Sequence, residues 1–340
     1  MTSRSTLGAH RRGKLLLALV LGAATACGSG DRSALTRQPV EPAPNSAILL
    51  RHSQREAANA QITPAQFLAQ NPFGWVGTAH NRGLALFFTR IGQRPSVSPC
   101  ELLKQIVRGD NMLGPDRSRV TASEWKRSAE QAIASNRLCG TAKSASTPAG
   151  RSDGQRASIF KHAAWATPKY DAQYFLDAID AAVDQAGSPS GYSSAVSAIV
   201  SAASSELSGT DMDNVNAVAS VAVGSYSYWD SNINSDASAY SSSYGASCQQ
   251  ATDPSQCVYA MSFRAPAGRS SALAFRRVAN KAPFCTYALN GREIIHMDVG
   301  GGIAGFFGGG PQGAAAGAFV SSGAESVWQF GNWLYCAYHQ

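Results

Sequence analysis

Residues 299–324 read VGGGIAGFFGGGPQGAAAGAFVSSGA, and the reading of this stretch decides the fold. It is bounded by Asp298 and Glu325, carries no charge between them, and holds ten Gly, six Ala and six larger apolar residues. Gly301, Gly305, Gly309, Gly313 and Gly317 recur at every fourth position. Ten glycines would cost an isolated helix on the order of 10 kcal/mol relative to alanines. Such a run becomes ordered only where another backbone packs directly on it, as small-residue ridges do between helices. Pro311 divides it, because proline has no N–H and its ring clashes with the carbonyl four residues back, at Phe307. The arms this leaves, about 297–307 and 312–328, are about 16 Å and about 25 Å long at 1.5 Å per residue, short of a ~30 Å hydrocarbon core. The spacing therefore predicts a close-packed helical hairpin over 297–328, with Gly301 and Gly305 against Gly313 and Gly317, in preference to a membrane-spanning helix.

Outward from the hairpin, the chain predicts a mainly α fold, a helical bundle to which the hairpin belongs. Asn71-Pro72 marks a helix start, with Asn as N-cap and Pro at the first helical position. Phe73, Val76, His80, Leu84, Phe87 and Ile91 then recur at spacings of three and four, one apolar face over about 20 residues. Ser98-Pro99-Cys100-Glu101 and Thr121-Ala122-Ser123-Glu124 read as capping boxes opening two further helices. Thr167-Pro168 opens a helix carrying Phe175, Leu176, Ile179 and Val183. Another starts near Ser190, and a third after Thr210 leads through Val215 and Val218 to Trp229. Short loops between these three favour antiparallel neighbours. The Ser-, Asn- and Tyr-rich residues 231–247 read as a loop, and Val258–Phe263 and Phe284–Leu289 as candidate short strands. The domain reading is a signal segment 1–26, a flexible tether 27–64, a helical region 65–139, a linker 140–156 and a second helical region 157–340.

The signal reading rests on Arg4, Arg11, Arg12 and Lys14 ahead of the apolar run Leu15–Leu21, then small residues up to Cys27. Ala24-Thr25-Ala26 fits ordinary signal peptidase. The same residues resemble the lipobox of bacterial lipoproteins, with Ala24 where leucine is usual, which makes Cys27 the expected lipidated N-terminus. Of the seven cysteines this leaves six, Cys100, Cys139, Cys248, Cys257, Cys285 and Cys336, an even number suited to an oxidising compartment. Sequence proximity pairs Cys100 with Cys139, Cys248 with Cys257 and Cys285 with Cys336. No C-x2-C or H-x3-H spacing occurs, so a metal site is not the expectation. The net charge of +7 includes four basic residues of the signal segment. The rest of the chain carries 25 Lys+Arg against 22 Asp+Glu, about +3, and gives no case for nucleic acid.

Catalytic motifs are sparse. The chain has no H-E-x-x-H, G-x-S-x-G or Walker loop, and no dinucleotide G-x-G-x-x-G after a strand. The glycine triplets 300–302 and 308–310 lack the lysine and hydroxyl partners of a phosphate cradle. His80, with Asn81 beside it, is the candidate polar site, although a histidine on an apolar helix face more often serves the core. Asp177, Asp180 and Asp184 share one helix face and read as a solvated stripe, with cation binding as the sharper alternative. Asp211-Met212-Asp213-Asn214 lacks the later residues of a calcium loop and reads as a helix N-terminus. Arg264, Arg269, Arg276, Arg277 and Lys281 form a run without acids, a solvated face or a contact for anionic headgroups.

The run Asn71-Pro72-Phe73-Gly74-Trp75-Val76-Gly77-Thr78-Ala79-His80-Asn81, with Ser225-Tyr226-Ser227-Tyr228-Trp229 and the glycine-rich C-terminus, resembles a family of uncharacterised exported bacterial (lipo)proteins. Those proteins carry an Asn-Pro-aromatic start and a Gly-x-x-His-Asn helix, and here Phe73 stands where they usually have Tyr. The resemblance covers islands at 71–84, 212–229 and 297–324. It implies export to the cell envelope and carries no activity, cofactor or catalytic residue. The expectation is an envelope lipoprotein acting by binding or structure, on the outer membrane where the cell has two, with another envelope protein or a wall polymer as partner. The alternatives are a periplasmic hydrolase of a wall polymer using His80 and an aspartate, and a secreted membrane-active polypeptide of bacteriocin type.

Overall fold

The computed structural model describes residues 61–94, 96–109, 111–136, 171–252, 254–259 and 288–339. The signal segment, Cys27, the linker 140–156 and the basic run 264–281 lie outside them. Among the described residues there are nine α-helices, one 3-10 helix and no strand, a mainly α bundle. The helices are α1 (Pro64–Gln70), α2 (Gly74–Gln93), α3 (Pro99–Arg108), α4 (Ala122–Ser135), α5 (Ala172–Gln185), α6 (Pro189–Glu206), α7 (Gly209–Gln250), α8 (Pro254–Tyr259) and α9 (Gly291–His339). The 3-10 helix Gly114–Arg119 lies between α3 and α4. Helices from both sides of the linker belong to one compact unit and share one core.

Local chemistry sets most helix starts. Thr63 and Gln66 form a reciprocal capping box on α1, and Thr121 and Glu124 form one on α4. Ser98 caps α3 through the Glu101 N–H, but Glu101 turns its carboxylate to Gln105 Nε2 (3.3 Å), so that box is half made. Asp171 caps α5 by accepting from Tyr174 N–H at 3.0 Å, which places the helix start at Ala172 instead of Thr167-Pro168. Ser188 caps α6 in the same way.

Three further expectations from the sequence are corrected. The helix carrying His80 starts at Gly74, because Asn71-Pro72-Phe73 forms the corner between α1 and α2. Asn71 Oδ1 accepts from Phe73 N–H (2.8 Å), and its Nδ2 donates to Asn216 O across the bundle (3.1 Å). Residues 231–247 are helix, not loop, and α7 runs 42 residues without a break. Its second half buries Ala237, Tyr240, Tyr244 and Cys248 at steps of three and four. The tyrosine hydroxyls reach carbonyls of other segments, Tyr244 to Val97 O at 2.9 Å and Tyr240 to Cys257 O at 3.5 Å, and Ser243 donates to Ile91 O. Tertiary carbonyls thus take up Ser243 and the two tyrosine hydroxyls, while Asn232, Ser235 and Ser242 donate back to carbonyls of their own helix. The candidate strand at 258–263 begins inside α8, and its remaining residues lie outside those described.

The glycine-rich stretch folds back on itself inside α9. Gly309 (φ −156°, ψ 17°) and Gly310 (φ 64°, ψ −154°) break the helical geometry just before Pro311, and only glycine takes the Gly310 conformation without strain. A Cβ on Gly305 would collide with the Gly313 carbonyl, one on Gly313 with the Gly305 carbonyl, and one on Gly317 with the Gly301 carbonyl. The second arm continues to His339, beyond the expected end at 328. Ala314 to Val320 are almost wholly enclosed, so this arm is a central element of the core. No described helix is long and apolar enough to cross a membrane.

Candidate functional site

α2 and α7 cross on a backbone contact of their own. A Cβ on Gly77 would collide with Ser220 O, and one on Gly224 would press on the Gly77 backbone. That approach sets His80 and Asn81, one turn along α2, beside Ser225 and Trp229 of α7. The first arm of α9 brings Asp298 to the same place and the second arm brings Ser322. These three segments are the three islands on which the sequence resemblance rests.

Asp298 organises the cluster. Its Oδ2 accepts from the Ser225 hydroxyl, from Ser322 Oγ at 3.0 Å and from Trp229 Nε1 at 3.3 Å, while Trp229 Nε1 also lies 3.2 Å from Ser322 Oγ. His80 Nε2 stands 3.3 Å from Oδ2, within ion-pair range but without hydrogen-bond geometry, and the contact carries opposite charges only when the imidazole is protonated. His80 Nδ1 pairs with Asn81 Oδ1 at 2.9 Å, and Asn81 Nδ2 donates to Gly224 O at 3.0 Å, which orients the amide and through it the ring. His80, Asp298, Ser225 and Ser322 are all 0 % exposed. Beneath them Phe88, Trp229 and Phe330 stack edge to face or tilted, with centroids 5.7 to 6.4 Å apart.

Ser225, His80 and Asp298 contain the residue types of a hydrolytic triad in a different wiring. The serine donates to the carboxylate and not to the imidazole, and it is fully buried. A nucleophile needs its base within hydrogen-bond reach and a substrate within reach of both. The cluster instead joins three helices through one carboxylate oxygen, Oδ2, while Asp298 Oδ1 and His80 Nε2 are buried without a hydrogen-bond partner.

A second histidine lies two residues from Asp298. His296 Nδ1 meets Asp180 Oδ1 at 2.6 Å and Nε2 meets Asp184 Oδ1 at 3.1 Å, so the aspartate stripe of α5 clamps the first arm of α9. Burial alone would lower the imidazole, but the hydrogen bonds and charges of the two carboxylates raise its pKa to about 9. Arg292, one turn earlier, donates to Asp184 O (2.8 Å) and Ala186 O (3.0 Å) and satisfies the C-terminal carbonyls of α5. Both ring nitrogens of His296 are taken by carboxylates. Among the described residues no group of three His, Cys, Asp or Glu side chains is placed to hold a metal.

The other sequence candidates are placed as follows. Cys248 and Cys257 are disulfide-bonded, joining the end of α7 to α8. Cys100 is also in a disulfide, and its expected partner Cys139 lies outside the described residues. Cys336 is buried in the second arm of α9, and Cys285 lies outside the described residues. Gly309 packs at Ser128 of α4 instead of at the opposite arm. Asp211 and Asp213 stand in the first turns of α7. Sequence reasoning missed Asp298, Ser322 and His296. Asp298 entered it only as the boundary of an uncharged stretch; its signal was that a carboxylate flanked by Met297 and Val299, opening a buried arm, needs partners. In comparisons with protein-family models, curated proteins and solved structures, nothing matches this chain.

Proposed function

We propose that this is an exported cell-envelope protein, lipid-anchored at Cys27, whose helical body acts by binding or structural support and not by catalysis. The observation that carries the non-catalytic part is the sealing of the His80–Asp298–Ser225 cluster: all three side chains are fully buried, and the Ser225 hydroxyl is committed to the carboxylate instead of to the imidazole. The closing of the glycine stretch on itself agrees with this, since its small-residue ridge is used within the fold and is not left for a bilayer. The envelope part rests on the sequence of residues 1–27 and on the family resemblance.

Radiolabelled palmitate incorporation in the wild type and in Cys27→Ala, followed by fractionation, tests the anchor. Label and membrane association should both vanish in the variant, and unchanged labelling would discard it. The wall-polymer hydrolase remains the second reading, favoured by the 3.3 Å approach of His80 to Asp298. His80→Gln separates the two. Turnover abolished in a variant that keeps its fold would favour the enzyme, and a mildly destabilised protein with unchanged binding favours the structural role.

A further inference from the structure

The α1–α2 corner and the 3-10 helix border an open surface cleft of about 490 Å3 that the buried cluster does not use. Its walls include Leu68, Asn71, Pro72, Trp75, Asp116 and Arg119. Both walls are fixed from behind. On one side α2 begins so close to α1 that a Cβ on Gly74 would collide with the Leu68 carbonyl, and Asn71 is bonded to Asn216 across the bundle. On the other, Arg82 of α2 donates to Met112 O (2.8 Å) and Leu113 O (2.5 Å), holding the turn into the 3-10 helix. Gly114, at φ +54°, lets the chain pass beneath that guanidinium. A cleft held in this way pays little ordering entropy on binding.

The chemistry inside the cleft is specific in kind. Trp75 is half-buried, and among the described residues its Nε1–H makes no hydrogen bond. Asp116 and Arg119 form a single pair, Arg119 Nε to Asp116 Oδ1 at 3.2 Å, leaving Asp116 Oδ2 as an acceptor and the terminal guanidinium N–H groups as donors. Their charges cancel, so the cleft selects neither an anion nor a cation. The helical walls offer no strand edge for an extended peptide and no long apolar groove for a helix.

We infer that this cleft binds a short run of neutral pyranose sugar, with one ring packed on Trp75 and adjacent hydroxyls shared between Asp116 and Arg119. A pyranose presents an apolar C–H face and an equatorial rim of hydroxyls, each both donor and acceptor. An aromatic side chain takes the first, and a carboxylate–guanidinium pair matches two neighbouring members of the second. The source, a wall glycan, rests on the envelope-binding reading above.

The test is titration of the full-length chain in detergent with chitotetraose and with maltotetraose, by isothermal calorimetry. Saturable binding of at least one is expected, weakened about tenfold or more in Trp75→Ala and several-fold in Arg119→Ala, the loss typical of a central contact and of a rim contact. Arg119 is largely exposed, so its variant keeps the fold even if Trp75→Ala does not. No binding of either sugar by the folded wild type, or binding unchanged in Arg119→Ala and in a folded Trp75→Ala, overturns the site. Displacement of bound sugar by a wall-derived peptide would overturn it in favour of a peptide cleft. Fractionation separates the two readings. An envelope protein that binds no sugar loses only the cleft proposal, and Trp75-dependent sugar binding by a chain found outside the envelope loses only the envelope reading.

Discussion

His80–Asp298 and His296–Asp180/Asp184 both tie the first arm of α9 to a neighbouring helix, yet they do so in opposite environments. The inner pair has one carboxylate, no exposure, and three further donors converging on Asp298. The outer pair has two carboxylates on one imidazole, with Asp184 66 % exposed. A sealed carboxylate makes every one of its donors indispensable, because none can turn to water instead. A pair at the edge is graded by solvent and answers to pH. The same arm thus carries a fastener that is broken by losing a group and another that is loosened by losing a proton.

Breaking the inner fastener has the largest expected effect. Asp298→Ala leaves Ser225, Ser322, Trp229 and His80 facing an empty site, and should lower unfolding free energy by about 3–5 kcal/mol in guanidinium titrations. A loss under about 1 kcal/mol would mean that water replaces the carboxylate and the cluster is not sealed.

Gly305→Leu sharpens the contrast. The side chain must push the two arms of α9 apart, at a cost of about 3 kcal/mol, the upper range for overpacking. Ser322 on the second arm would draw away from Asp298, whereas the His296 clamp, made to α5, should survive. A melting temperature equal to wild type would contradict the hairpin packing.

The smallest effect is the outer pair's own. His296 has a folded pKa raised from 6.5 to about 9, so its contribution is fully present below about pH 6.5 and is lost as pH rises through 9. With the solvent screening at Asp184 allowed for, the loss is about 1–2 kcal/mol between pH 6.5 and 10. Asp236, which burial raises to about 6, titrates below that window. The alkaline loss should disappear when Asp180 and Asp184 are both replaced by Asn, and its persistence there would assign it to another group. The same alkaline step should remain in Gly305→Leu.

Much of the bundle was legible in the residues, in particular where short-range chemistry is strong. The capping box at Thr121–Glu124, the apolar period from Val76 to Ile91 and the break at Pro311 each rest on contacts within one or two turns. The second half of α7 was illegible for the opposite reason. Its Ser, Asn and Tyr residues disfavour helix locally; Asn232, Ser235 and Ser242 bond back to their own helix, but the carbonyls that hold Ser243 and Tyr244 lie 152 and 147 residues away. The start of α2 was misplaced because Asn71 serves as a corner, bonded to Asn216, instead of as a cap.

Of the candidate site, His80 and Asn81 were visible from the sequence, and their role was not. The sequence by itself determined that the glycine-rich stretch must close on another backbone, because glycine's conformational freedom and proline's missing N–H are properties of the residues alone. It also marked His80 as a polar residue on an apolar face. Only the tertiary structure decided that the partner of His80 is Asp298, that Ser225, Ser322 and Trp229 complete the cluster, and that His296 stands outside it. Which donors reach one buried carboxylate depends on how three helices cross. That crossing is set by close backbone approaches at Gly305 and at Gly77, the latter to Ser220, 143 residues away in the chain.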